Sequence, residues 1–234
     1  MEEKNRKAYH LSIYLSVCGL INRFFVNKKI ENLDTGKILP VMEEFYSLQG
    51  EGFHTGSAAY FLRVGGCDVG CNFCDVKESW NAAVHPLVSV DEAVARIVKQ
   101  KSPCVVVTGG EPCLYNLDYL CEQLHKNNIS THLETSGSEK LSGNFDWICF
   151  SPKKGMPPQA EFYKQANELK IIVENESDFV WAEENAAKIN EKSLRYLQPE
   201  WSNFDIITPS IVNYILQNPK WKISLQSHKY MRIP

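Results

Sequence analysis

Residues 65–75 read "GGCDVGCNFCD" and place Cys67, Cys71 and Cys74 within eight positions, directly after the apolar run "AAYFLRV". That spacing, C-x3-C-x2-C, constrains the fold more than any other stretch. Three thiols on one short loop favour soft metal chemistry, and a strand ending in glycines has to deliver that loop to a protected place. A structural zinc site wants four closed ligands, and no fourth Cys or His follows at short spacing; the nearest downstream histidine is His85. A four-iron cluster on three cysteines leaves one iron for an exogenous ligand, which is what a cluster that performs chemistry needs. A zinc-binding or electron-carrier module stays open as a non-enzymatic alternative.

The rest of the chain says what kind of scaffold carries the loop. Strand-like runs at 104–108, 130–134, 146–150, 169–174, 194–198 and 222–226 alternate with helical patterns. Those patterns begin at Ser89 and near 115–127, 159–167, 178–191 and 205–217. Ser89 and Glu92 have capping-box spacing, and Ala93, Val94, Ile97 and Val98 follow a helical period. Such alternation implies an α/β fold with a parallel sheet and right-handed crossovers. Polar, glycine-rich segments follow the strands: "TGGEP", "ETSG", "SPKKG", "QPE" and "QSHK". In a barrel those ends share one rim, where active sites assemble. With six or seven strands the chain is short for a closed eight-fold barrel of ~250 residues. The expectation is therefore a partial, open β/α barrel with the cysteine loop after its first strand; a doubly wound sheet is the second choice.

Composition sets further bounds. The 234 residues, 44% of them hydrophobic, suit one globular domain, and a net charge of −3 argues against broad phosphate neutralisation of nucleic acid. No stretch approaches the ~18 apolar residues of a membrane span. Cys18, Cys104, Cys113, Cys121 and Cys149 show no paired spacing, and together with the thiol loop they indicate a cytoplasmic protein. Residues 1–32 differ in character from the rest. They are expected to be a loosely packed leader or the product of a start codon assigned upstream, with residues 33–234 forming a single domain.

Phe73 precedes the last cysteine, giving C-x3-C-x-F-C, and this resembles the radical S-adenosylmethionine (SAM) superfamily. The resemblance implies that Cys67, Cys71 and Cys74 hold a [4Fe-4S] cluster whose open iron takes the amino and carboxylate groups of SAM. It places Phe73 near the adenine, and assigns Gly110 and Glu111 of "TGGEP" to the amino group of the methionine part. Asp75, Ser136, Ser151, Pro152, Lys153 and Gln198 follow as further cofactor contacts. From about residue 36 to the end, "EEFYSLQGEGFHTG", "WNA" and "QSHKYMRIP" together resemble the 7-carboxy-7-deazaguanine synthase family.

For that family the resemblance implies ring contraction of 6-carboxy-5,6,7,8-tetrahydropterin with loss of ammonia, started by a SAM-derived radical with no further catalytic residue. Substrate contacts would come from Leu48, Gln49, Gly50, Glu51, Arg63, Thr108 and the terminal Pro234. A flavodoxin- or ferredoxin-type electron donor and a homodimer are implied as partners. A radical activase acting on a protein glycine shares the cysteine spacing, but is not expected to carry "LQGEG" and "HKYMRIP" together. Mg2+-requiring members resemble Cys-Asp-Thr after the last cysteine, whereas this chain reads Cys74-Asp75-Val76. Valine offers no oxygen to a cation that demands hard oxygen ligands. Either Asp75, the substrate carboxylate and water hold Mg2+, or the enzyme depends on it more weakly; the second is expected.

Overall fold

The β-branched run at Val105–Val107 is buried on both faces, as a strand covered on either side requires. It forms the middle of β4 (Cys104–Gly109) in a computed structural model that describes residues 34–234. The leader expected at residues 1–32, with Cys18, lies outside the described residues. In chain order the strands are β1 (Ile38–Leu48), β2 (Ala58–Val64), β3 (Leu87–Ser89), β4, β5 (Ser130–Thr135), β6 (Trp147–Phe150), β7 (Glu168–Val173), β8 (Leu194–Pro199) and β9 (Lys222–Ile223). The helices between and after them are α1 (Val90–Gln100), α2 (Asp118–Lys126), α3 (Phe162–Gln165), α4 (Asp178–Ala186), α5 (Phe204–Gln217) and α6 (Ser227–Met231).

All nine strands join one sheet in the order β3-β1-β2-β4-β5-β6-β7-β8-β9. From β2 to β9 every pairing is parallel and the order follows the chain. A doubly wound sheet reverses direction at a switch point; this one never does, and its edges β3 and β9 do not pair. The fold is an open β/α barrel, and the doubly wound alternative is excluded.

Two strands were not legible in the sequence. β1 carries Pro40, which cannot donate to a ladder, and its antiparallel register with β2 shifts between Val41 and Glu43. It forms nonetheless as the partner of both β2 and the short β3. The cysteine loop accordingly follows the second strand. The helices expected over 159–167 and 178–191 contract to α3 and α4, and β9 is only two residues long. Ser89 sits at the N-cap of α1 but makes no side-chain cap bond. That helix start is held by Val90 N–H donating to the Lys37 carbonyl at 2.9 Å.

The two faces of the sheet have different chemistry. Leu133, Leu169, Ile171, Val173 and Leu197 face the helices within the main core. Facing inward from alternate positions of β5 and β7 are His132, Glu134, Glu168 and Lys170. The β1–β2 loop folds into this interior: Gly52 N–H donates to Ser224 Oγ at 2.9 Å and Phe53 N–H to Glu168 Oε2 at 3.0 Å. His54 then packs on His132, ring centroids 4.4 Å apart, and edge-on to Trp147.

Burial, with a smaller contribution from His54, lowers the His132 pKa to about 4. The unfolded chain takes up a proton near the ordinary histidine value of about 6.5 that the folded chain refuses, so this contribution is complete above that value and fades as pH falls towards 4. Wild type is expected to lose on the order of 1 kcal/mol more stability than His132→Leu between about pH 7 and about pH 5. Urea unfolding at both pH values measures it; equal losses would contradict the assignment.

Candidate active site

A cavity of about 560 Å3 opens at the rim formed by the ends of the parallel strands. One wall is apolar: Phe45, Phe61 and Val106, with the Phe45 and Phe61 rings stacked at 5.0 Å. The facing wall is charged. Lys170, 4% exposed, directs Nζ to Glu51 Oε2 at 2.6 Å and Glu134 Oε2 at 2.8 Å. Burial raises the Glu51 pKa on its own, but the Lys170 charge and hydrogen bond outweigh it and bring the group down to about 2. Desolvation likewise lowers Lys170, and the surrounding acidic groups reverse this and raise it well above the usual lysine value. An ionic wall opposite an aromatic one fits a flat heterocycle with a polar edge.

The cysteine loop is fastened where it begins, to the segment that follows it. Gly66 N–H donates to the Ser79 carbonyl at 2.6 Å, and Cys67 N–H to the Trp80 carbonyl at 3.2 Å. Cys67, Cys71 and Cys74 are free, half-buried and face the cavity. Among the described residues no three His, Cys, Asp or Glu side chains converge to hold a single metal ion. That disfavours a compact zinc site, whereas a cubane takes one thiolate per iron and needs its cysteines on a shared loop. The thiols present therefore fit a [4Fe-4S] group.

The turn after β4 closes on this loop. Gly110 N–H donates to the Val64 carbonyl and Glu111 N–H to the Gly66 carbonyl, each at 2.8 Å. A Cβ on Gly110 would lie 2.0 Å from Gly66 O, so only glycine permits the approach. Glu111, 1% exposed, has both oxygens engaged. Oε1 accepts from Cys113 N–H at 3.0 Å and Thr135 Oγ1 at 2.5 Å. Oε2 accepts from Ser136 N–H at 2.8 Å and Ser136 Oγ at 2.5 Å. An ammonium ligand would have to share these lone pairs, so Glu111 acts first as the strut between the β4 turn and β5.

The other sequence-predicted residues gather at the same cavity, with one exception. Phe73, Asp75, Leu48, Gly50, Thr108 and Pro234 line it. Ser151 also lines it and accepts twice from Lys153 Nζ, at 2.6 Å each. Gln198, 3% exposed at the end of β8, accepts from Ser224 Oγ at 2.7 Å. Gln49 Oε1 accepts from Glu51 N–H at 3.0 Å, and its amide reaches Glu134 Oε1 at 3.5 Å. Arg63 meets Glu43 at 3.0 Å and lies over the Phe45 ring. Pro152 is buried within the turn after β6 and does not line the cavity.

Glu134, Lys170, Gln226, His228 and Lys229 were not singled out from the sequence. Gln226 Nε2 donates to Glu51 Oε1 at 2.9 Å, and Lys229 Nζ to Asp75 Oδ2 at 2.9 Å. Ser227 N–H donates to the Gly50 carbonyl at 2.9 Å, so α6 straps the β1–β2 loop to the cavity. Lysine at an inward position of "LKIIVE" was the available signal, because a lysine in a buried strand needs an acidic partner.

Comparison with known proteins agrees with this geometry. The Radical SAM superfamily profile matches residues 62–153. A 7-carboxy-7-deazaguanine synthase from Flavobacterium psychrophilum is 52% identical over 202 residues, covering 86% of this chain and 96% of that relative. The synthase of that name from Synechocystis is 47% identical, covering 83% and 93% respectively. Among solved structures, the crystal structure of QueE from Escherichia coli superposes with a TM-score of 0.73 at 30% identity, covering 82% of this chain and 95% of that one.

Gly110→Ala tests the fastening of the cysteine loop. The clash with Gly66 O is expected to cost about 1–3 kcal/mol and to displace the loop, lowering iron bound per chain after anaerobic reconstitution at least about two-fold. Iron content matching wild type would show that the loop does not need this approach.

Proposed function

The chain belongs to the 7-carboxy-7-deazaguanine synthase family of radical SAM enzymes, and from that membership we propose how its cavity serves the reaction. It is a radical SAM lyase that forms 7-carboxy-7-deazaguanine. Its proposed substrate is 6-carboxy-5,6,7,8-tetrahydropterin, contracted with loss of ammonia. The observation that carries this reading is the single cavity in which the cluster cysteines, an aromatic wall and two lysine-paired carboxylates meet.

Cys67, Cys71 and Cys74 would hold the [4Fe-4S] cluster, and the β4 turn, Ser136, Ser151, Lys153 and Gln198 would surround SAM. When bound, that pair supplies reductive cleavage and hydrogen-atom abstraction; the protein supplies alignment and exclusion of water. Phe45 and Phe61 would cover one face of the pterin. Glu51, Glu134 and Gln49 would read its amino-pyrimidinone edge, which displays donors. Arg63 is the bidentate candidate for the substrate carboxylate once it leaves Glu43. Pro234 lines the cavity and would contact the substrate there.

The residues near Asp75 do not fit Mg2+. Val76 has no donor oxygen, and Asp75 Oδ2 is already engaged by Lys229 at 2.9 Å and Gln226 at 3.3 Å. We therefore propose activity with weak Mg2+ dependence. Chelation of divalent ions is expected to leave more than about a tenth of the rate measured with Mg2+; a deeper loss would show that the ion is required. A flavodoxin- or ferredoxin-type donor, homodimer assembly, a cytoplasmic location and a single domain over 33–234 belong to the same proposal. Among the described residues no helix is long and apolar enough to cross a membrane.

The direct test is anaerobic incubation of reconstituted enzyme with reductant, SAM and 6-carboxytetrahydropterin, read by mass spectrometry beside Cys71→Ala. 7-Carboxy-7-deazaguanine and 5′-deoxyadenosine are expected together, and both should vanish in the variant. 5′-Deoxyadenosine alone would keep the radical chemistry and overturn the pterin.

A further inference from the structure

The Glu51–Lys170–Glu134 arrangement has a consequence for selectivity that neither the cluster nor SAM explains. Each carboxylate gives its Oε2 to the same ammonium, at 2.6 and 2.8 Å. The other oxygens are also held, Glu51 Oε1 by the Gln226 amide at 2.9 Å and Glu134 Oε1 by the Gln49 amide at 3.5 Å. Both side chains are thus fixed in rotation, each as an ion-pair partner of the same ammonium. What they present to the cavity is acceptor capacity alone.

We infer that Lys170 is a positioning residue that locks Glu51 and Glu134 as a pair of acceptors, so that the site admits a ligand edge built of hydrogen-bond donors and rejects one built of acceptors. This deepens the pterin reading and rests on it. A 2-amino-4-oxo ring offers an amino group and a ring N–H to such a wall. A ring with a carbonyl in place of the amino group brings an oxygen against a carboxylate, and neither side has a proton to share. A buried polar group left facing its like is the strongest basis an enzyme has for rejecting an analogue.

Titratable groups face the wall from several elements. Lys170 is faced by Glu168 of β7, Cys149 of β6 and Lys153 after β6, and its two carboxylates are faced by His228 of α6 and His54 of the β1–β2 loop. Burial lowers both histidines, which keeps them neutral at neutral pH. Without Lys170, burial becomes the largest influence on Glu51 and raises it, against the weaker Gln226 hydrogen bond and His228. A carboxyl that takes up a proton can donate, and the wall then accepts the wrong edge.

The test needs no turnover. Calorimetry on the reconstituted enzyme compares pterin-6-carboxylate with lumazine-6-carboxylate, in which the 2-amino group is replaced by a carbonyl. Wild type should prefer the pterin by at least about 100-fold. In Lys170→Met the preference should fall below about 10-fold, and pterin affinity should gain an acid limb between about pH 7 and about pH 5 that wild type lacks. If Lys170→Met does not fold, Lys170→Met/Glu134→Gln removes one of the two unpaired charges and should relax the preference similarly. A folded variant with the wild-type preference and pH profile would overturn the inference, as would wild type that binds both ligands equally. Wild type that shows the preference yet makes no 7-carboxy-7-deazaguanine would sustain the selectivity and remove the function.

Discussion

An ammonium group inside a barrel determines much of what surrounds it. Lys170 is 4% exposed on a central strand, and a lone charge there would be too costly to keep. Its two carboxylate partners come from β5 and from the β1–β2 loop, elements separated from it by 36 and 119 residues in sequence. Pairing a buried charge does not guarantee stability, but removing one partner strands the others. The ion network therefore specifies where the β1–β2 loop must sit, folded into the interior of the open sheet. Gly52 is part of the same requirement: with φ of +64° and a Cβ that would lie 2.1 Å from Glu168 Oε1, it is the residue type that lets the loop pass β7.

The open barrel thus has an interior of mixed character. Phe45, Phe61 and Val106 make one wall apolar, and β5 and β7 make the other ionic. A closed barrel fills its interior with layers of branched side chains. Here a loop and a C-terminal strap enter the interior, and both bring polar groups to the cavity. Gln226 illustrates the economy of this arrangement, since its amide touches both Glu51 and Asp75.

What the sequence revealed and what it hid follow from how each signal is carried. The cysteine spacing, the glycine turn and the strand–helix alternation are local, and they located the rim and its order; the further site residues came from the family resemblance, and all but Pro152 line one cavity. Hidden features were those fixed by distant partners. β1 was obscured by Pro40 and is a strand because β2 and β3 flank it. Glu134 stood in a segment already noted, "ETSG", yet its direction depends on the alternation of β5. Lys170 looked like one charge in an apolar strand until its partners were placed beside it.

β5 joins the two halves of the site. Glu134 faces the cavity and the Lys170 ammonium, while the next two residues, Thr135 and Ser136, hold the Glu111 carboxylate. Glu111, 1% exposed, in turn ties its own N–H to the Gly66 carbonyl, one residue before the first cysteine of the loop. Three consecutive residues at and just past one strand end therefore link the ionic wall to the cysteine loop. Hydrogen-atom abstraction tolerates little error in the distance between reacting atoms, because a misplacement of about 1 Å can cost a hundred-fold in rate. A rigid strand end reaching both partners meets that demand with shorter linkage than two independent loops could.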